Sequence, residues 1–129
     1  LLPAPLAKRF HAWHGQWSLL ETLAAMNRMG LVVGNDSGAM HMAAAAGAPT
    51  VTLFGPMDPA RWAPWPVHGE AVHPQARTVA LGLDCQPCHL KTPCPIQFRC
   101  MTHLPVEKAL AACQSLLATS PQASRVAAR

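Results

Sequence analysis

Two stretches of this sequence hold side chains whose types and spacing could do chemistry. The first is the turn Gly34-Asn-Asp-Ser-Gly38, with His41 following it. Gly34 and Gly38 remove side chains where a backbone must come close to a ligand, and Ser37 offers a hydroxyl. The amides that open a helix after such a turn are unpaired and sit at the positive end of its dipole, which suits a phosphate. One turn into that helix, the His41 imidazole can donate to a diphosphate oxygen, and Asp36 can accept hydrogen bonds from sugar or ribose hydroxyls. A plainer reading fits the spacing equally well: Asp36 or Ser37 only caps the helix, and His41 is a satisfied, half-buried residue.

The second stretch is Cys85-x-x-Cys88, then Cys94 and Cys100. Thiols at this density are consistent with a tetrahedral structural Zn²⁺ that would staple a loop poor in hydrophobic residues, with His89 or His103 able to replace one of them. Free or merely packed thiols account for the same residues, and redox pairing is a third reading. Disulfides are disfavoured in a reducing compartment. Cys113 falls inside a helical stretch and reads as a small hydrophobe. Nucleophilic catalysis is not indicated, because no Cys-His arrangement sits in the phosphate turn. Trp62 and Trp65 could stack on a base or sugar, but aromatics beside proline more often pack over a loop and close a core. Arg61 could pair with a phosphate or lie along the surface. His11, His14, His68 and His73 have no ligand spacing.

The elements that must position these groups can be read from pattern. Ser18-Leu-Leu-Glu21 is a capping box, and Leu19, Leu20, Leu23, Ala24 and Met26 recur at helical spacing, so a helix is expected over residues 19–29, with one face laid on a sheet and Gly30 as its stop. Leu31-Val-Val33 reads as a short buried parallel strand. Residues 39–46 read as a helix closed by Gly47 and Pro49, and residues 50–54 as the next strand. Strand, tight turn, helix and strand form a βαβ unit with parallel strands, so the class is α/β. In an open parallel sheet, ligands sit beyond the carboxyl ends of the strands, which is where the 34–38 turn falls. Beyond residue 54 comes a loop rich in Trp and Pro, a short strand near Ala71-Val-His73, the cysteine-dense stretch, and a final helix over residues 105–117. The organisation expected is an irregular lead-in over 1–16, one domain over 17–118 including the cysteine-rich loop 85–100, and a frayed tail over 119–129.

Composition narrows the function classes. The chain has 129 residues, 50% of them hydrophobic and 12% charged, which fits one globular body. Its formal charge of +4 would suit an anionic ligand, but the ten Lys and Arg are scattered and no basic stripe is interleaved with aromatics. Nucleic acid is therefore not an expected partner, since counterion release needs several cations along one path. No apolar run approaches the roughly 20 residues of a membrane helix. The opening LLPAPLAKRF lacks the pattern of a secretory signal, and a chain starting at Leu1 reads as a piece of something longer.

The run from Val33 to Pro59, with its Asp-Ser-Gly-x-x-His core at Asp36, Ser37, Gly38 and His41 and its Phe-Gly-Pro-x-Asp-Pro loop at Phe54 to Pro59, closely resembles glycosyltransferase family 9, the ADP-heptose lipopolysaccharide heptosyltransferases. The Ser18-Leu-Leu-Glu21 segment and the cysteine cluster ending in Cys100-Met101 extend the resemblance over most of residues 15 to 112. It implies a GT-B enzyme of two Rossmann-like halves, with the amino-terminal half holding a lipopolysaccharide core acceptor and this carboxyl-terminal half holding a nucleotide sugar of the ADP-heptose type. It also implies that Asp36, Ser37, Gly38 and His41 contact the donor's diphosphate and sugar, and that the loop of Gly55, Pro56, Met57 and Asp58 lies near the cleft. Inverting displacement without a metal or other cofactor is expected, in the cytoplasm, with any membrane association peripheral. The acceptor base and a donor-binding lysine would lie in earlier segments, so an isolated chain would be inactive. Two alternatives from other classes stay open: a stand-alone nucleotide-sugar binding module without turnover, and a cysteine-cluster interaction module with the βαβ unit as scaffold.

Overall fold

The computed structural model describes residues 8–64 and 75–119. The elements, in chain order, are α1 (Leu19–Asn27), β1 (Val32–Asn35), α2 (Gly38–Ala45), β2 (Thr50–Phe54), α3 (Pro59–Trp62), β3 (Ala76–Ala80), α4 (Arg99–Thr102) and α5 (Val106–Thr119). The three strands form one parallel sheet in the order β1-β2-β3, with Val32 opposite Thr50 and Thr50 opposite Ala76. This is the expected Rossmann-like α/β arrangement. The strand expected near residues 71–73 lies outside the described residues, and a strand that had not been anticipated forms at Ala76–Ala80 instead.

Alternation along the strands sends successive side chains to opposite faces and gives the sheet two coats. On one face Val51 and Val79 pack with Leu116 of α5, joined at their margin by Leu31, Leu53, Leu104, Ala112 and Cys113. Cys113 thus packs as a small hydrophobe, as its position in a helix suggested. Lys108 pins the start of α5 by donating to the Ala80 carbonyl at the end of β3, at 2.6 Å. On the other face lies α2, whose Met40, Ala43 and Ala44 are buried. A Cβ at Gly34 would come within 2.8 Å of the Met40 sulfur, so the bare backbone of β1 is what lets this helix seat so closely. The buried hydroxyls of Thr50 and Thr52 have no partner among the described residues.

Helix α1 begins as the sequence requires. The Ser18 side chain accepts from the Glu21 amide, and the Glu21 carboxylate accepts from the Ser18 amide at 2.8 Å and from its hydroxyl at 2.7 Å. The helix ends at Asn27, two residues short of the expected Met29, where Asn27 donates to the Ala46 carbonyl at 2.6 Å. Its apolar face also differs from the expected one. Leu19 and Leu20 are exposed, no residue of α1 is fully buried, and the helix lies beside α2 instead of resting a broad face on the sheet. Ahead of it, Gly15 makes a left-handed turn, and the Trp13 ring stacks between His11 and Trp17.

The capping box gives a test of both arms. Ser18→Ala is expected to lower the unfolding free energy by about 1 kcal/mol at neutral pH. The Ser18 hydroxyl first, and its amide second, hold the Glu21 carboxyl below its ordinary pKa. A carboxyl lowered on folding adds stability that is present above its ordinary pKa and is lost as the pH falls through the folded value. The gap between wild type and variant should therefore narrow only below about pH 4. Urea denaturation in neutral and acid buffer measures this, and a gap independent of pH would show that the carboxylate arm contributes nothing.

Candidate functional site

The corner between β1 and α2 is fixed by the ladder that β1 forms with β2. Val32 donates to the Pro49 carbonyl at 2.8 Å, and the last rung is the Asp36 amide on the Leu53 carbonyl at 3.1 Å. Asp36 and the end of β2 are therefore about one strand spacing apart, about 5 Å. The chain then leaves the sheet through Ser37, whose backbone is fully extended (φ −164°, ψ 163°), and enters α2 at Gly38. The Ser37 carbonyl accepts from the Met40 amide at 3.0 Å, so the backbone of Ser37 caps the helix while its hydroxyl makes no capping bond.

The simple capping reading is thus not met by the Ser37 side chain. A serine present only to cap would spend its hydroxyl on the amides of the first turn. Here the hydroxyl makes no such bond, and the Met40 amide is taken by the Ser37 carbonyl instead. Apart from its chain neighbours and the backbone of its own helix, no atom of the described residues lies within 4 Å of where a Cβ on Gly38 would stand. His41 lies one turn into α2, beyond the extended cap residue Ser37, and Asp36 and His41 are both half-buried while Ser37 and Gly38 are exposed. Asp36, Ser37 and Gly38 thus follow one another beyond the carboxyl end of β1, and His41 lies one turn into α2. An acceptor, a hydroxyl, an imidazole and a helix start can grip an anion on one side and hydroxyl groups on the other.

The loop after β2 adjoins this corner. Gly55 is buried, and a Cβ there would come within 2.8 Å of Met101 Cγ and 3.7 Å of Cys100 Sγ, so α4 fills the space that a side chain would need. Asp58 caps the short α3 by accepting from the Ala60 amide at 2.9 Å, and Pro59 opens that helix. The Arg61 guanidinium lies over the Trp62 ring, 5.6 Å from its centre. Trp62 is 45% exposed, so it does not close the core as expected; it lies at the surface under that cation. Trp65 lies outside the described residues.

The cysteine-dense segment is the one for which composition suggested a zinc staple. Among the described residues, no three His, Cys, Asp or Glu side chains are gathered as a metal ion requires. The thiols of Cys85, Cys88, Cys94 and Cys100 are free, Cys85 is exposed, and Cys94 Sγ accepts from the Phe98 amide at 3.3 Å. As placed, these four do not fit a tetrahedral shell. Burial pushes the Cys100 thiol pKa up, and its neighbours Cys94 and Cys88 add to the effect. All the non-glycine residues with left-handed backbone among those described fall here: His89, Leu90, Gln97 and Phe98. Such strain persists only where surrounding contacts over-determine the chain. Those contacts run to the loop after β2, through residues that motif reading passed over: Gln86 donates to the Gly55 carbonyl at 2.6 Å, and His89 donates through its amide to the Pro56 carbonyl at 2.9 Å.

The family model for glycosyltransferase family 9 (heptosyltransferase) matches residues 5–95. The chain belongs to glycosyltransferase family 9. The family is of the GT-B class, in keeping with the parallel sheet seen here. The chain is 37% identical over 91 residues to lipooligosaccharide heptosyltransferase 2 of Campylobacter jejuni subsp. jejuni serotype O:2, covering 70% of this chain and 26% of that protein. It is also 37% identical over 81 residues to the protein of the same name from serotype O:6, covering 62% and 23% respectively. The chain thus spans about a quarter of the length of the curated relatives it matches. No solved structure matches. Among the described residues, no helix is long and apolar enough to cross a membrane.

Thiol reactivity tests the cysteine segment. Timed alkylation read by mass spectrometry should label exposed Cys85 first and buried Cys100 last, because burial both shields Cys100 and disfavours its thiolate. Equal rates for the two would show that the segment is open in solution. Joint protection of all four, with stoichiometric zinc by elemental analysis, would restore the metal reading.

Proposed function

We propose that Asp36, Ser37, Gly38 and His41 bind the diphosphate and the transferred sugar of a nucleotide-sugar donor of the ADP-heptose type. The protein would move that heptose to a lipopolysaccharide core acceptor. The observation that carries this reading is the Ser37 hydroxyl, which does not cap its own helix although it stands at the cap position. Membership of a heptosyltransferase family supports the donor class.

In this proposal an acceptor hydroxyl attacks the anomeric carbon, the bond from that carbon to the diphosphate oxygen breaks, and the configuration inverts. The departing diphosphate gains charge, and the α2 amides with His41 stabilise it. Asp36 holds sugar or ribose hydroxyls. The base that takes the acceptor's proton is assigned to another part of the protein, the half that holds the acceptor. This domain alone is therefore proposed to bind donor without turning it over. A water-soluble donor and a lipid-linked acceptor place the reaction on the cytoplasmic side of a membrane, with peripheral attachment.

Calorimetric titration with ADP and ADP-heptose tests the site. Wild type should bind both, and His41→Ala should weaken ADP about tenfold, the scale of one hydrogen bond to a charged group. Asp36→Ala should weaken ADP-heptose more than inorganic pyrophosphate, since Asp36 faces hydroxyls and not anions. Absent binding by wild type, or equal affinities for all three proteins, would refute the donor site.

A further inference from the structure

We infer that Gln86 is a positioning residue for the anion corner, holding the loop after β2 so that its carbonyl oxygens face away from the diphosphate; this rests on the donor reading above. The Gln86 side chain joins three places at once. Its Oε1 accepts from the Gly82 amide at 2.9 Å and the Leu83 amide at 2.8 Å, and its Nε2 donates to the Gly55 carbonyl at 2.6 Å. One residue on, the Pro56 carbonyl is taken by the His89 amide at 2.9 Å. Two successive carbonyls of the loop are thus turned toward the cysteine segment. Across a trans peptide the carbonyl and the next N–H point in opposite directions, so holding the Pro56 oxygen toward His89 sends the Met57 N–H to the other side.

The consequence is electrostatic. The corner and the end of β2 are one strand spacing apart, and a carbonyl oxygen at that range repels an anion that the α2 amides attract. An unanchored Gly55 carbonyl could swing toward the corner and cancel part of that attraction. Gln86 prevents this without touching the ligand. The anchor is stiff because Gln86 is itself gripped twice by the 82–83 turn, and because α4 presses Met101 against Gly55 from the same side. Gly55 must lack a side chain for that contact to form.

Two variants separate this role from simple support of the fold. Gln86→Glu keeps both acceptors for the 82–83 turn but loses the donor to Gly55, and Gln86→Met is neutral and loses every bond. Affinity for inorganic pyrophosphate and for adenosine is measured by calorimetry, with thermal unfolding as the control for folding. Both variants should bind pyrophosphate about fivefold more weakly, the scale of one hydrogen bond. Adenosine affinity should be unchanged in both, and Gln86→Glu should unfold near the wild-type temperature. Wild-type pyrophosphate affinity in both variants, or equal losses for pyrophosphate and adenosine, would overturn the inference while leaving the donor site standing. A wild-type protein that binds no pyrophosphate would remove both.

Discussion

The structure depends most on the parallel ladder between β1 and β2. Its register sets Gly34 opposite Thr52 and ends with the Asp36 amide on the Leu53 carbonyl. A slip of one residue would send every side chain of β1 to the opposite face. Val33 would then stand where Gly34 now admits the Met40 sulfur, α2 could not seat, and Asp36 would turn away from the corner. The bare backbone at Gly34 is therefore a register mark, since the space it leaves is taken by Met40. A residue that motif reading assigns to phosphate also explains why the helix lies where its start can meet one.

Support for this ladder comes from both faces and from one end. Alanines and Met40 coat one face, and α5 with Leu116 coats the other. At the end where the strands emit the corner and its neighbouring loop, the cysteine segment closes on that loop through Gln86, His89 and Met101. Burial of the Cys100 thiol belongs to the same contact, since Cys100 and Met101 approach Gly55 together. The thiols need no shared ion to account for the packing of this segment, because backbone carbonyls, one amide side chain and one thioether supply the attachments.

What could be read in advance follows from how local each signal is. The βαβ unit was legible because β-branched runs, paired glycines and a small-residue helix all agree within residues 31–54. Strand β3 was not, since Ala76-Arg-Thr-Val-Ala80 offers only Thr78 and Val79 as strand formers and earns its place by pairing with β2. The apolar spacing of α1 was real, but Leu19 and Leu20 lie at its outer face because the helix docks on α2. Cysteine density suggested ligands, and among the described residues no three His, Cys, Asp or Glu side chains are gathered as a metal ion requires; composition records which atoms are near in sequence, not where their lone pairs point. Of the site itself, the place of Ser37 between strand β1 and helix α2, at the cap position, was legible. The freedom of the Ser37 hydroxyl was not, because serine is as common at a helix cap that is spent as at one that is not.

The corner also shows why so much packing surrounds so small a site. Its four residues include no Lys or Arg, and Arg61 lies over Trp62. In the donor reading proposed above, attraction for an anion would come from amide dipoles together with the His41 imidazole, and dipoles are weak singly and add only when held in one direction. A flexible lysine can follow its ligand; a backbone amide cannot, so its contribution is set before the ligand arrives. Fixed dipoles reward rigidity and are cancelled by any carbonyl free to turn inward. A site of this kind therefore needs glycines where helix and loop approach closely, a strand register that cannot slip, and a neighbouring loop whose oxygens are already engaged elsewhere, and all three are present around Asp36.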